Sequence, residues 1–420
     1  MLDGGDTLKP FPDLGRALPK GWRRARLDDV ADRASGHTPD QGRPEYWNGG
    51  VAWVSLADSA KLDQGYISET DKQISHLGIR HSSAVLLPPE TVILSRDAGV
   101  GKSAVLKSEM AVSQHFIAWS CSAKRVLDPW FLYAWMQTQK PFFERMAVGS
   151  TIKTIGLPIF KRLTIDFPPL PEQRRIAAIL RTWDEALEKL AALRAAKARR
   201  LEGIAQQLLA PSRAIGRGVP QSNWAPSSFG DVFEERQDKN AGLGSDDVVT
   251  VGKYAIRKQS EHFTRSVASK DLSNYWTISP GDFVYDPMSA YYGAIGRYAG
   301  SADGIVSPAY RVIKLSPDVD PEFMVALLRT HHVRFLLEAR SSQGNKEGKR
   351  RLLQRDEFES IEFKLPSREA QREIAAKLAV FRTDLELTER EIEAVALQKR
   401  GLMQKLLTGE WRVKLEAPVA

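Results

Sequence analysis

Several short stretches carry the residue types that grip an anion or read a polar ligand. Gly99-Val-Gly-Lys-Ser103 sets Lys102 on a glycine-rich turn, with Arg96 ahead of it and Lys107, Gln114 and His115 behind it. The polar segment Gly149-Ser-Thr-Ile-Lys-Thr-Ile-Gly156 supplies Ser150, Thr151, Lys153 and Thr154. In the second half the same types recur at Tyr291, Tyr292, Arg297 and Tyr310. They recur again in Gly344-Asn-Lys-Glu-Gly-Lys-Arg-Arg351, which holds Asn345, Lys346, Lys349, Arg350 and Arg351. Cations neutralise phosphates, and amide, imidazole and hydroxyl groups on loops hydrogen-bond to base edges, so this set suits a nucleic-acid duplex. Each residue alone reads more often as a solvated surface side chain. Two of the loops stand out because a glycine-flanked basic loop precedes each of two long helical segments. Lys253, Arg257 and Lys258 form a further basic cluster that this pattern does not place.

The residues a catalyst would need are not in evidence. A nucleotide-hydrolysing phosphate loop requires glycine five positions before Gly101, and that position is Arg96. Asp286-Pro-Met-Ser289 lacks the second proline and the aromatic residue of the Asp-Pro-Pro-aromatic turn of adenine methyltransferases. His331 and His332 are adjacent on a predicted helix and point to different faces, so they read as ordinary surface or core histidines rather than ligands. No Ser/His/Asp or Cys/His set stands out.

Composition sets the bounds. A chain of 420 residues with 42% hydrophobic residues has room for two or three domains with true cores. A net charge of +8 permits a polyanionic partner without requiring one. The single cysteine, Cys121, excludes a disulfide framework and a cysteine-based zinc site, and fits a reducing cytoplasm. Met1-Leu-Asp-Gly-Gly-Asp6 has no export-signal character, and no apolar run reaches transmembrane length, so no membrane partner is expected.

The elements that must position the loops are two related helices. Gln173, Arg174, Ile176, Ala177, Ala178, Leu180, Leu187, Glu188, Ala196, Ala198, Gly203, Gln206, Leu208 and Leu209 all recur 198 residues later, without a gap. Apolar residues follow a three–four spacing at Ile176, Leu180, Trp183 and Leu187, and at Ile374, Leu378, Phe381 and Leu385, as in a coiled-coil seam. Arg194, Lys197, Thr388 and Lys399 interrupt it. A helix of this length spans roughly 55–60 Å and needs a partner in water. The two helices are therefore expected to pair with each other, antiparallel; packing of each on its own domain is the other reading.

The segments before each helix share a plan. Val51–Ser55, Ala84–Leu87, Thr91–Leu94 and Phe116–Trp119 read as strands, and Pro129–Met136 as a helix capped by Asp128. Leu18-Pro-Lys-Gly-Trp22 is answered by Val219-Pro220 with Trp224, Pro89–Leu94 by Pro280–Tyr285, and Ala111–Phe116 by Ile305–Tyr310. Asp128–Phe131 is answered by Asp320–Phe323, and Phe160 by Phe358. The expected fold is α+β, two similar mixed α/β domains with two long antiparallel coiled-coil helices in a pseudo-twofold repeat. The divisions are 1–17 leader, 18–168 first domain, 169–210 first helix, 211–366 second domain, 367–410 second helix and 411–420 tail.

This layout, with Leu170-Pro-Glu-Gln-Arg-Arg-Ile176 opening the first helix and Leu406-Leu-Thr-Gly-Glu-Trp-Arg412 closing the second, resembles the specificity subunit of type I restriction-modification systems. The second helix departs from the pattern, opening with Ser367-Arg-Glu-Ala-Gln-Arg372. The resemblance implies a non-catalytic subunit with two target-recognition domains, each reading half of a split double-stranded DNA site, spaced by the helices. It implies two methyltransferase subunits and restriction/translocase subunits as partners. S-adenosylmethionine, ATP and magnesium are then expected in those partners and no cofactor in this chain. A coiled-coil adaptor without DNA readout is the alternative.

Overall fold

The structure, a computed structural model, describes residues 17–209, 224–242, 245, 247–259, 271–343 and 351–414. Most of the expected leader, the 211–220 linker, Asn345, Lys346, Lys349 and Arg350 lie outside the described residues. The long helices run Leu170–Leu209 and Arg368–Leu407, 40 residues each, so both their ends keep the offset of 198 read from the side chains. The chain packs as two units, Met1–Ala191 with Arg390–Ala420, and Ala192–Glu389, so each unit holds one half of each helix.

The first unit is built on a five-stranded sheet in the order Asp32–Ser35, Phe116–Ser120, Val92–Ser95, Ser103–Leu106, Tyr66–Ile67, antiparallel except for the last pair. Beside it lies a three-stranded sheet of Lys72–Ile74, Trp47–Val54 and Ala111–Val112. Of the expected strand Ala84–Leu87, only Leu87 bridges, to Met110. Pro88 and Pro89 follow it and have no N–H to extend a ladder. Helix Pro129–Thr138 starts where the Asp128 carboxylate accepts from the N–H groups of Trp130 and Phe131. Its buried face joins Trp22, Trp119, Phe160, Ile176 and Leu180 in one core. Burial of each such side chain contributes about 1.5–3 kcal/mol. Cys121 belongs to this core; burial, then the charges of Asp128 and Asp32, push its thiol up to about 12.

The second unit repeats the plan with a four-stranded antiparallel sheet, Phe233–Arg236, Arg311–Leu315, Phe283–Tyr285, Ile295–Arg297. This is the strand order of the first unit without the outer parallel strand. Helix Pro321–Leu328 is capped by Asp320, which accepts from Phe323 N–H. Trp22 meets Phe131 edge-on at 6.5 Å, and Trp224 meets Phe323 at 6.3 Å, so the equivalence read from sequence holds at the level of ring contacts.

A buried glutamine ties each domain to its helix. Gln173 Oε1 accepts from Asp128 N–H at 2.8 Å, and its Nε2 donates to the Pro168 and Val126 carbonyls. Gln371 does the same with Asp320 N–H at 2.7 Å and the Pro366 carbonyl at 2.9 Å. The first unit has an additional tie. Glu172 is almost fully buried, and both its oxygens accept from Arg412, at 2.7 and 2.8 Å.

The helix halves pair antiparallel inside each unit. In the first, Ile176 and Leu180 share a core with Met403, Leu406 and Leu407, and Lys399 reaches Asp184. In the second, Ile374 and Leu378 share a core with Leu209, backed by Leu201, Ile204 and Leu208. Arg194 meets Glu389 at 2.6 Å, Lys197 reaches Asp384 at 2.7 Å and Thr388 at 2.8 Å, and Arg200 lies over Phe381. Trp183, Leu187, Phe381 and Leu385 are half-buried. Each helix therefore packs both on its own domain's core and on the other helix. A double-mutant cycle of Asp184→Leu and Lys399→Met should show coupling of about 0.5–1 kcal/mol in thermal unfolding, modest because the carboxylate is partly solvated.

Candidate nucleic-acid interface

One edge of the first unit gathers the polar residues singled out above in the first half of the chain, Lys107 excepted. The turn after strand Val92–Ser95 is closed by Gly101 N–H donating to the Ser95 carbonyl at 2.9 Å. On one side Arg96 N–H donates to the His115 carbonyl; on the other Ile155 N–H donates to the Arg96 carbonyl, both at 2.9 Å. The second contact seats the polar segment as a hairpin in which Val148 and Thr154 exchange backbone bonds and Thr154 also bridges Asp97. A side-chain chain crosses the edge. Thr38 Oγ1 donates to Gln114 Oε1, Gln114 Nε2 lies 3.5 Å from His115 Nε2, and His115 Nδ1 is 2.6 Å from Asp97 Oδ2. The Asp97 carboxylate fixes the orientation of the imidazole. Arg96 is half-buried, 3.9 Å from Asp97.

Below the turn, Asp63, Gly99, Lys102, Lys140, Glu144 and Lys153 line a cavity of about 400 Å3. Lys140 pairs with Asp63 at 2.7 Å and Lys102 donates to the Ser59 carbonyl at 3.0 Å, while Ser150, Thr151 and Lys153 are exposed. The glycine-rich turn thus keeps anion-binding composition without the geometry of a nucleotide loop. Lys107 is not part of this edge. It follows the far end of strand Ser103–Leu106, with Nζ 5.7 Å from the Tyr66 ring.

The second unit builds the same edge from other residues. The Asp286-Pro-Met-Ser289 turn follows the equivalent strand, and its carboxylate is occupied locally by Met288 N–H at 2.9 Å and by Ser289 Oγ. Leu353 N–H donates to the Pro287 carbonyl at 2.9 Å, as Ile155 does to Arg96. The hairpin so docked pairs Ser342–Gln343 with Arg351–Leu352. Tyr292 is 60% exposed, with Lys253 Nζ 4.8 Å over its ring, and Arg351 lies 5.5 Å from the Tyr291 ring. Gly293, at φ +102°, lets Tyr254 approach where a Cβ would sit 2.7 Å from its ring.

Other residues of the set are already committed. Arg297 donates to Glu322 at 2.9 Å, and Glu322 also binds Arg382 at 2.8 Å. Arg351 pairs with Glu338 at 3.0 Å, Lys258 with Asp247 at 2.5 Å, and the Tyr310 hydroxyl lies 3.4 Å from Thr250 Oγ1. His331 pairs with Glu202 at 2.9 Å, and burial lowers the pKa of His332, which keeps it neutral. Thr38, Asp97 and Lys140 carried no sequence signal, because only contacts distant in the chain bring them here. Among the described residues no group of His, Cys, Asp and Glu could hold a metal ion, and no helix is long and apolar enough to cross a membrane.

Comparison with known proteins agrees with this architecture. Residues 19–196 match the family described as Type I restriction modification DNA specificity domain. The chain is 24% identical over 95% of its length to the type I restriction enzyme MjaVIII specificity subunit of Methanocaldococcus jannaschii, covering 95% of that protein. It is 27% identical to the MjaIX specificity subunit of the same organism, over 42% of this chain and 40% of the relative. The fold is that of the type I restriction-modification S subunit from M. genitalium, with TM-score 0.53 and 16% identity over 97% of this chain and 100% of that one. A chain solved for the assembly and conformational transition of a type I restriction-modification system gives TM-score 0.56 and 16% identity, covering 94% of this chain and 100% of that one. Two copies of one domain plan, a duplicated helix and these likenesses meet in one conclusion: residues 19–196 match the type I restriction modification DNA specificity domain, and the whole chain is similar in sequence and fold to specificity subunits of type I systems.

Proposed function

We propose that this chain is the DNA-reading component of its complex, each unit contacting one half of a split, asymmetric duplex sequence. The observation that carries the reading is one scaffold edge furnished with two different sets of side chains. Thr38, Gln114 and His115 with the Val148–Thr154 hairpin serve the first; Tyr291, Tyr292 and Lys253 with the Arg351 hairpin serve the second. Two half-sites of different sequence require that combination, because phosphate contacts position the protein and base contacts specify. In this reading the paired helices fix the gap between half-sites and dock two methyltransferase subunits, and restriction subunits join that assembly. S-adenosylmethionine, ATP and magnesium then bind to the partners.

Selection from a random duplex library by the chain with its methyltransferase subunit tests this. A bipartite motif with a fixed gap is expected; an unselective pool rejects the reading and leaves the adaptor. Lys102→Gln with Lys153→Gln should lower affinity for selected and random duplexes alike, by roughly tenfold at physiological salt. The slope of log affinity against log salt should flatten by about 1–2.

A further inference from the structure

We propose that the hairpin tip of the first unit is an apolar wedge, in which Val148 and Ile152 press on one base step of the half-site and open its stack. The inference rests on reading this edge as a DNA-contacting surface. Val148 is 73% and Ile152 58% exposed, on a segment whose other tip residues are Ser150, Thr151 and Lys153. Branched apolar side chains held in water gain nothing for the fold, since their stabilising effect comes only from burial. Nor is the tip a loose end. Val148 and Thr154 exchange backbone bonds of 3.0 and 2.9 Å, and Thr154 bridges Asp97. Gly149 stands at φ +133°, where a Cβ would lie 2.2 Å from the Ile152 carbonyl oxygen, so the tight turn admits only glycine.

Two apolar side chains thus stand on a closed turn, on the same edge as the cavity that Lys102 and Lys153 line and the Gln114–His115 pair. Base faces are apolar and phosphates anionic, and a small apolar tip flanked by cations is how proteins unstack and kink a duplex step. A protein partner fits less well, because two side chains ringed by lysine and hydroxyls fall far short of the roughly 800 Å2 each partner buries in a stable interface. In the second unit it is the turn after strand Phe283–Tyr285, the counterpart of the Gly99 turn and not of this hairpin, that exposes Met288 (48%) and Tyr292 (60%), beside Lys253.

The test uses the full chain assembled with its methyltransferase subunit, on duplexes of the selected motif with 2-aminopurine placed at each position in turn. Fluorescence should rise severalfold at one or two adjacent positions of the first half-site, other than the methylated adenine. Val148→Thr with Ile152→Ser should abolish that rise and weaken motif binding by about tenfold, with random-duplex binding unchanged. Ile152→Leu, which keeps the apolar tip, should retain it. Tight motif binding without any rise in that half-site overturns the wedge, as does a rise that survives the double substitution. Loss of the methyltransferase subunit from the double variant would make the tip a protein contact and also overturn it. If the unaltered chain selects no motif, the DNA reading itself fails and takes the wedge with it.

Discussion

Gln173→Ala should lower the stability of the first unit by about 3–4 kcal/mol, read as a shift of its unfolding transition while that of the second unit stays in place. Gln173 is fully buried and its amide makes three hydrogen bonds, to Asp128 N–H and to the Val126 and Pro168 carbonyls. Alanine strands these partners away from water, at about 1–3 kcal/mol for each group left unsatisfied, and leaves a cavity. Partial relaxation around the site keeps the total below the simple sum. Gln371→Ala, with bonds to Asp320 N–H and the Pro366 carbonyl, should shift the second unit's transition by about 2–3 kcal/mol. A change under 1 kcal/mol for Gln173→Ala would show that the glutamine is not what fastens the domain to its helix.

Gly36→Ala should bring motif affinity of the complex down by about a hundredfold, with binding of random duplex much less affected. A Cβ at this position would lie 1.9 Å from the Val112 carbonyl oxygen and 2.5 Å from that of Ser113. Backbone on both sides has to move, because no flexible side chain is there to give way. The close approach is what lets His37 N–H donate to the Val112 carbonyl at 3.0 Å and carries Thr38 to Gln114. Gln114→Ala is the companion measurement. It leaves the backbone alone and should cost about 1–3 kcal/mol of discrimination at one base pair, with random-duplex binding unaltered. If Gly36→Ala binds the motif as tightly as the unaltered chain, the Thr38–Gln114–His115 chain does not read bases.

The helices were legible in sequence because their signal is local and occurs twice: a fixed offset and a three–four spacing. What single-helix periodicity could not show is why Arg194, Lys197, Thr388 and Lys399 interrupt it. Each is explained by a residue on the other helix, about two hundred positions away. Gln173 and Gln371 were visible only as identities of the repeat; their work depends on burial. The candidate edge was legible as a list of residue types and not as a place. The bridge from Asp97 to Thr154 assembles it, and no local rule predicts that pairing. Lys107 and Arg297 entered the list by chemistry alone, and the fold sets the first at the far end of its strand and commits the second to Glu322.

The charges along the helix pair also decide what each helix can accept as a mate. Carried across the repeat, Asp184 corresponds to Arg382, Arg194 to Ile392 and Lys197 to Val395. A second helix zipped in the same register to its own twin would set Lys399 against Arg382, Glu389 against Ile392 and Asp384 against Val395. A first helix zipped to its twin would face Asp184 with Leu201, Arg194 with Ala191 and Lys197 with Ala186. Every ionic contact vanishes in both arrangements, and one becomes a repulsion. Duplication supplied two like surfaces, and divergence has made them lock and key: each fits its sibling and refuses itself.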